Sequence, residues 1–183
     1  MIFLSNLLSA TRFELATPTK QVRDNVHRLA KLPSRDLGYK VERWGEWQGH
    51  RTTAAEVGAW ARNRNLNCAV NCRTVKALDI DIEEAAAELV AEFERIAGSP
   101  VMVRGRPNSQ RVLIPFKVSG PLESSAVIGR AGVVEFLSDG KMFVFAGGHA
   151  SGVRYVHTKG EIPTLSLAQV TAYQATVGGV LTA

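Results

Sequence analysis

Thr74-Val75-Lys76-Ala77-Leu78-Asp79-Ile80-Asp81-Ile82 is the stretch whose reading decides the fold. It alternates with the period of a strand, in which successive side chains point to opposite faces. Leu78, Ile80 and Ile82 fall on one face and read as core; Val75, Ala77, Asp79 and Asp81 fall on the other. At a rise of about 3.3 Å per residue the two carboxylates stand about 6–7 Å apart on one surface. Like charges so placed raise each other's pKa and destabilise the fold unless a cation lies between them. Hard divalent ions with oxygen ligands, Mg²⁺ or Mn²⁺, meet that need. An exposed strand face that carries two aspartates accounts for this stretch alone equally well, so the rest of the chain has to decide.

A chain of 183 residues is long enough to bury a proper core and is most simply one domain with a smaller lobe. Its 45% hydrophobic and 21% charged content are those of an ordinary globular protein. The net charge of +5 favours polyanionic partners, although a basic enzyme acting on a small substrate has the same balance. Cys68 and Cys72 are spaced i, i+4, which matches no zinc or redox motif, and they read as buried free thiols in a reducing compartment. The N-terminus lacks the basic region and apolar run of a secretory signal, and no stretch is long enough to span a membrane. A cytoplasmic location is expected.

Along the chain, Gln21 to Leu32 and Thr53 to Arg64 read as helices, and Trp44 and Trp47 as packing aromatics. Asn67 to Asn71 reads as a short strand, and its brief connection to the Asp79 strand suggests a hairpin. Glu83 to Ala97 is the clearest helix: Ala85, Leu89, Phe93 and Ile96 recur near 3.6, and Gly98 supplies the exit. Pro100 to Arg104 is extended. Gln110 to Val118 alternates strictly, with Val112, Ile114, Phe116 and Val118 opposite Arg111, Leu113, Pro115 and Lys117. Gly132 to Leu137 places Val134 and Phe136 inside and Val133, Glu135 and Leu137 outside. Ser138-Asp139-Gly140 has turn chemistry, so Lys141 to Ala146 is expected to return as its hairpin partner. A glycine-rich loop from Gly147 to Gly152, a strand near Tyr155 and a weak helix from Ser166 to Thr176 follow. The poorly anchored ending beyond reads as a linker.

Runs of strands with a helix over one face argue α+β. If the apolar faces meet the Glu83–Ala97 helix, the opposite face collects Asp79, Asp81, Arg111, Lys117 and Glu135. Carboxylates beside cationic groups are what a site for metal-bound phosphates requires.

Three features stand in order: the Asp79-x-Asp81 strand; Arg104-Gly105-Arg106 leading to Ser109-Gln110-Arg111 and its apolar strand; and Glu135 after Val133-Val134, closed by Gly148-His149 and Tyr155. Over about residues 60 to 157 they resemble the primase–polymerase domain of the archaeo-eukaryotic primase superfamily, in its phage and plasmid branch. The resemblance implies a catalytic sheet of RNA-recognition-motif type with helices on one face. It also implies a small N-terminal α/β lobe of about residues 1–65, a core of about 66–160 and a C-terminal helix or linker of about 161–183. It assigns the metal-holding acids to Asp79, Asp81 and Glu135, serving two Mg²⁺ or Mn²⁺ ions. The family's phosphate-binding histidine is replaced by Arg111, which suits a phosphate through bidentate charge-assisted bonds. His149, Arg104, Arg106 and Lys117 are further candidates for nucleotide or phosphate contact. The implied partners are a single-stranded DNA template and primer, NTP or dNTP, and a helicase region on a longer chain, encoded by a phage or plasmid in a bacterial host. A metal-dependent nuclease, a nucleotide-sugar transferase and an inactive DNA-binding module are the competing readings.

Overall fold

The computed structural model describes residues 15–16, 68–146, 149 and 153–182. The helices expected before Asn67 and the two tryptophans lie outside these residues. The chain divides into two compact units, Met1–Thr74 with Met142–Tyr155, and Val75–Lys141 with Val156–Ala183.

In the first unit, β1 (Leu15–Ala16), β2 (Cys68–Asn71) and β8 (Met142–Ala146) form an antiparallel sheet with β2 in the middle. Val144 and Tyr155 share a small core cluster in this unit. Cys72 is buried, as expected.

The second unit is built on β3 (Lys76–Asp81), β4 (Arg104–Arg106), β5 (Ser109–Ser119), β6 (Ser125–Gly129), β7 (Gly132–Leu137), β9 (Val156–His157) and β10 (Thr164–Ser166). The strand order is β6-β7-β3-β5-β4-β9, with β10 also on β5. All these pairings are antiparallel except that of β10 with β5. Helix α1 (Ala86–Ala97) crosses from β3 to β4, leaving β5 between them, so β3-α1-β4 is a split β-α-β unit. Helix α2 (Leu167–Thr182) closes the unit. The architecture is α+β, with a mostly antiparallel sheet and two helices.

The period-two pattern explains which face is covered. Leu78, Ile80 and Ile82 of the β3 segment, Ile114 and Phe116 of β5, and Val134 and Phe136 of β7 are buried in one cluster with Leu89 and Phe93 of α1 and Val170, Tyr173, Val177 and Leu181 of α2. Tyr173 stands edge-on to Phe93 and Phe136, and its hydroxyl donates to the Leu89 carbonyl at 3.0 Å. Burial raises the pKa of this phenol far above its usual value, so it stays a donor. Gly98 ends α1 in the left-handed conformation with its N–H on the Glu94 carbonyl, the exit expected of it.

Several expectations are corrected. β2 does not form a hairpin with β3; it pairs with β1 and β8 in the other unit. The Ser138-Asp139-Gly140 turn forms, with Lys141 N–H on the Ser138 carbonyl and Gly140 at φ 79°, but β8 does not return to β7. The hairpin partner of β7 is β6, a strand not expected from the sequence. Leu137 is buried, not outside. The last helix runs to Thr182 with Val177 and Leu181 buried, so the segment is firmly packed rather than a linker. Its start is a closed capping box: Gln169 N–H donates to Ser166 Oγ, and Ser166 N–H donates to Gln169 Oε1.

β5 carries a proline inside a central strand, where a missing N–H is usually costly. Lys117, two residues on, sends its N–H toward the β10 side, to the Pro163 carbonyl. Pro115 therefore faces the same edge, between the end of the β4 pairing at Leu113 and the start of the β10 pairing at Lys117, where no strand among the described residues asks for a donor.

Candidate active site

The second face of the β3 sheet changes character along its strands. Ala77 is the register partner of Leu137 on β7 and of Pro115 on β5, and all three are buried, as is Leu113. One step further the face becomes charged. Asp79 lies opposite Glu135 on β7 and opposite Leu113 on β5, and Leu113 lies opposite Arg104 on β4. Residues directly opposite share a face, so Arg104, Leu113, Asp79 and Glu135 form a row across four strands. Asp81 follows two residues along β3, opposite Val133, with Arg111 beside it.

Each aspartate is turned toward an arginine. Arg104 Nη2 is 3.8 Å from Asp79 Oδ1, and Arg111 Nη1 donates to Asp81 Oδ1 at 2.9 Å. Arg104 is only 12% exposed, whereas Asp79 and Asp81 are about one-third exposed, at 35% and 34%. The acids thus open outward while one of the cations is set back among neighbours. Glu135 is exposed and makes no ion pair among the described residues.

Glu83 completes the charged face, although the sequence pattern had placed it in a helix and not among the site candidates. It lies before α1, which begins only at Ala86. Its carboxylate accepts from Ser109 Oγ at 2.8 Å and Gln110 N–H at 2.6 Å, and lies 3.2 Å from Arg111 Nε. The Gln110 N–H first, then the Ser109 hydroxyl and the charges of Arg111 and Arg106, hold this carboxyl below the usual carboxylate range. The signal that could have found it is the continuation of one period-two series through Asp79, Asp81 and Glu83.

By chemistry alone, the carboxylates of this face are the oxygen donors that a hard divalent cation takes. Three carboxylates supply oxygen ligands, cross-strand neighbours lie about 4.5–5.5 Å apart at Cα, and Asp79 and Asp81 are about 6–7 Å apart. Among the described residues no three His, Cys, Asp or Glu side chains are drawn together as a ligand set. The arginines take up the aspartate charge instead.

The remaining candidates from the sequence are divided between the two units. Arg106 Nη2 donates to Ser109 Oγ at 3.0 Å, at the end of β5 that carries Arg111. Lys117 shares the odd-numbered face of β5 but is four residues from the Asp79 row, about 13 Å along the strand, so the structure does not bring it to the acids. His149 belongs to the first unit, where its N–H donates to the Val153 carbonyl at 2.7 Å and its ring stands edge-on to Tyr155.

Comparison with known proteins adds one match. A family model, Prim-Pol, described as bifunctional DNA primase/polymerase, N-terminal, matches residues 15–170. No curated protein matches the chain in sequence at a significant level.

Proposed function

From the premise that the chain belongs to the family of bifunctional DNA primase/polymerase N-terminal domains, we propose that it makes or extends primers on single-stranded DNA, with Asp79, Asp81 and Glu135 as its metal-holding acids. The family carries a primase/polymerase role in nucleotidyl transfer. The observation that supports these residues is the cross-strand row itself, Asp79 opposite Glu135 with Asp81 next on the same face, flanked by Arg104 and Arg111. Folding does not require this arrangement, since like charges directly opposite one another are destabilising.

In the reaction, a primer 3′-oxygen attacks the α-phosphorus of an incoming nucleotide, and the bond to the β-phosphate oxygen breaks to release pyrophosphate. Asp79, Asp81 and Glu135 would hold Mg²⁺ or Mn²⁺, which when bound supplies Lewis-acid stabilisation of the phosphates and acidifies the attacking hydroxyl. Arg111 and Arg104 bind the triphosphate and offset the charge that develops on the leaving group. Arg111 reaches the front of the charged face from β5, and Arg104 works from its recessed place on β4. The basic balance of the chain, net +5, suits a nucleic-acid template. Replication of a phage or plasmid, with a helicase region further along the same protein, is the setting we propose.

Nucleotide incorporation on a primed single-stranded template tests this, with Mg²⁺ or Mn²⁺ and an unprimed template alongside. Template-dependent lengthening that disappears in Asp79→Ala, Asp81→Ala and Glu135→Ala supports the reading, and products on the unprimed template add priming. Lengthening that persists in all three folded variants would overturn the assignment of the acids. Shortening of the DNA would favour a nuclease.

A further inference from the structure

We propose that Glu83 is a positioning residue of this site: it clamps Ser109, Gln110 and Arg111 so that the Arg111 guanidinium is already aimed when a nucleotide's phosphates arrive. The inference rests on the polymerase reading above and deepens it.

The carboxylate takes two hydrogen bonds from β5, from the Ser109 hydroxyl and the Gln110 N–H, and sets its charge 3.2 Å from Arg111 Nε, which makes no hydrogen bond. Ser109 Oγ passes the restraint on, since it also accepts from the Arg111 N–H at 3.2 Å and from Arg106 Nη2 at 3.0 Å. The paired residues of β3 and β5 end at Ile80 and Val112, so Glu83 acts beyond the ladder that already joins the two strands. It is 41% exposed, and ion pairs on so open a carboxylate add little to stability. What the contacts do accomplish is to fix a long side chain. Arg111 is held by one hydrogen bond, Nη1 on Asp81, and its Nε lies 3.2 Å from the Glu83 carboxylate as an ion pair without a hydrogen bond, while Nη2 donates no hydrogen bond among the described residues. An arginine held in advance loses less freedom when it meets a phosphate, and the saving appears as affinity.

A double-mutant cycle on the 183-residue chain tests this. Glu83→Ala, Arg111→Ala and the double variant are compared with wild type for dNTP KM and kcat in primer extension, and for binding of a fluorescent dNTP by anisotropy. Glu83→Ala is expected to raise KM and Kd about tenfold, the worth of one of its charge-assisted hydrogen bonds from Ser109 or Gln110, with kcat within about twofold. On the Arg111→Ala background the same change should add nothing, because the residue acts through Arg111. Glu83→Gln keeps an acceptor and loses the charge; it is expected to raise KM about threefold and replaces Glu83→Ala if that variant does not fold. Unchanged KM, or additive losses in the double variant, would overturn the positioning role while leaving the polymerase intact. A folded wild type that neither binds nor incorporates nucleotide would remove the polymerase reading, and this inference with it.

Discussion

Glu135→Gln is expected to make the protein more stable in the absence of divalent cations and inactive in their presence. Glu135 and Asp79 are register partners on one face. Directly opposite side chains start about 5 Å apart at Cβ, and at that separation two unit charges would repel by about 0.8 kcal/mol at the dielectric constant of water and about 3 kcal/mol at an effective value near 20. Glu135 is exposed, which favours the lower figure, and Arg104 at 3.8 Å from Asp79 already offsets part of it. The amide keeps the shape and removes the repulsion, for a gain of about 0.5–1 kcal/mol, or about 1–4 °C in Tm for a chain of this size. Thermal melts in EDTA measure that gain. Titration with Mg²⁺ or Mn²⁺ should then raise the wild-type Tm, by about 2.7 kcal/mol of stability at a hundredfold excess over Kd, and raise that of Glu135→Gln much less. The two curves should converge or cross. A variant that melts below wild type in EDTA would refute the electrostatic reasoning, and equal metal shifts in both proteins would refute Glu135 as a ligand.

Gly132 has φ 144°, and a Cβ there would stand 2.8 Å from the Asp81 carbonyl oxygen, so Gly132→Ala should cost about 2 kcal/mol or more and lower Tm while disturbing the Asp81 end of the site. Tyr173→Phe removes the hydroxyl from the Leu89 carbonyl but keeps the ring contacts; chemical denaturation should show a loss of about 1 kcal/mol. Glu92 is held below its usual pKa, first by its hydrogen bond from Arg95, so its contribution exists above the unfolded-state pKa and is lost as pH falls through the lower folded value. The stability difference between wild type and Glu92→Gln should therefore be present at neutral pH and vanish in acid, as read by melts across pH.

Legibility in the amino-acid sequence follows from whether the controlling interaction is local. The alternation in β3, β5 and β7 suffices to place the acids on one face and the core on the other, because side-chain period is a property of the strand itself. Gly98 and the α1 periodicity are local in the same way. Pairing is not. Asn71 and Lys76 are close in sequence, yet β2 finds its partners in β1 and β8, and the sound turn after Leu137 leads β8 away from β7. Turn chemistry describes how the chain reverses and does not name the strand it meets. β6 escapes notice because Ser125-Ala126-Val127-Ile128-Gly129 is short, with Ile128 exposed on an edge. The strength of α2 is understated by its composition, although Ser166-Leu167-Ala168-Gln169 has the spacing of a capping box. Glu83 reads as part of a helix it does not enter, because its acidity suits a helix start as well as it suits a third position on the β3 face.

Pro115 has a mechanical consequence. It leaves a notch in the β5 edge, so the ribbon of β4 and β9 is fastened only along one end of that strand. The acids are set in a stiff plate, two of them on β3 and one on β7, each strand bonded on both sides. Arg104 rides on the thin rim, in a three-residue strand whose register slips before Arg106. Amide exchange should be slow in the plate and faster in the rim. Such a frame keeps its negative charges at constant spacing while one of its positive charges sits on the less firmly bonded rim.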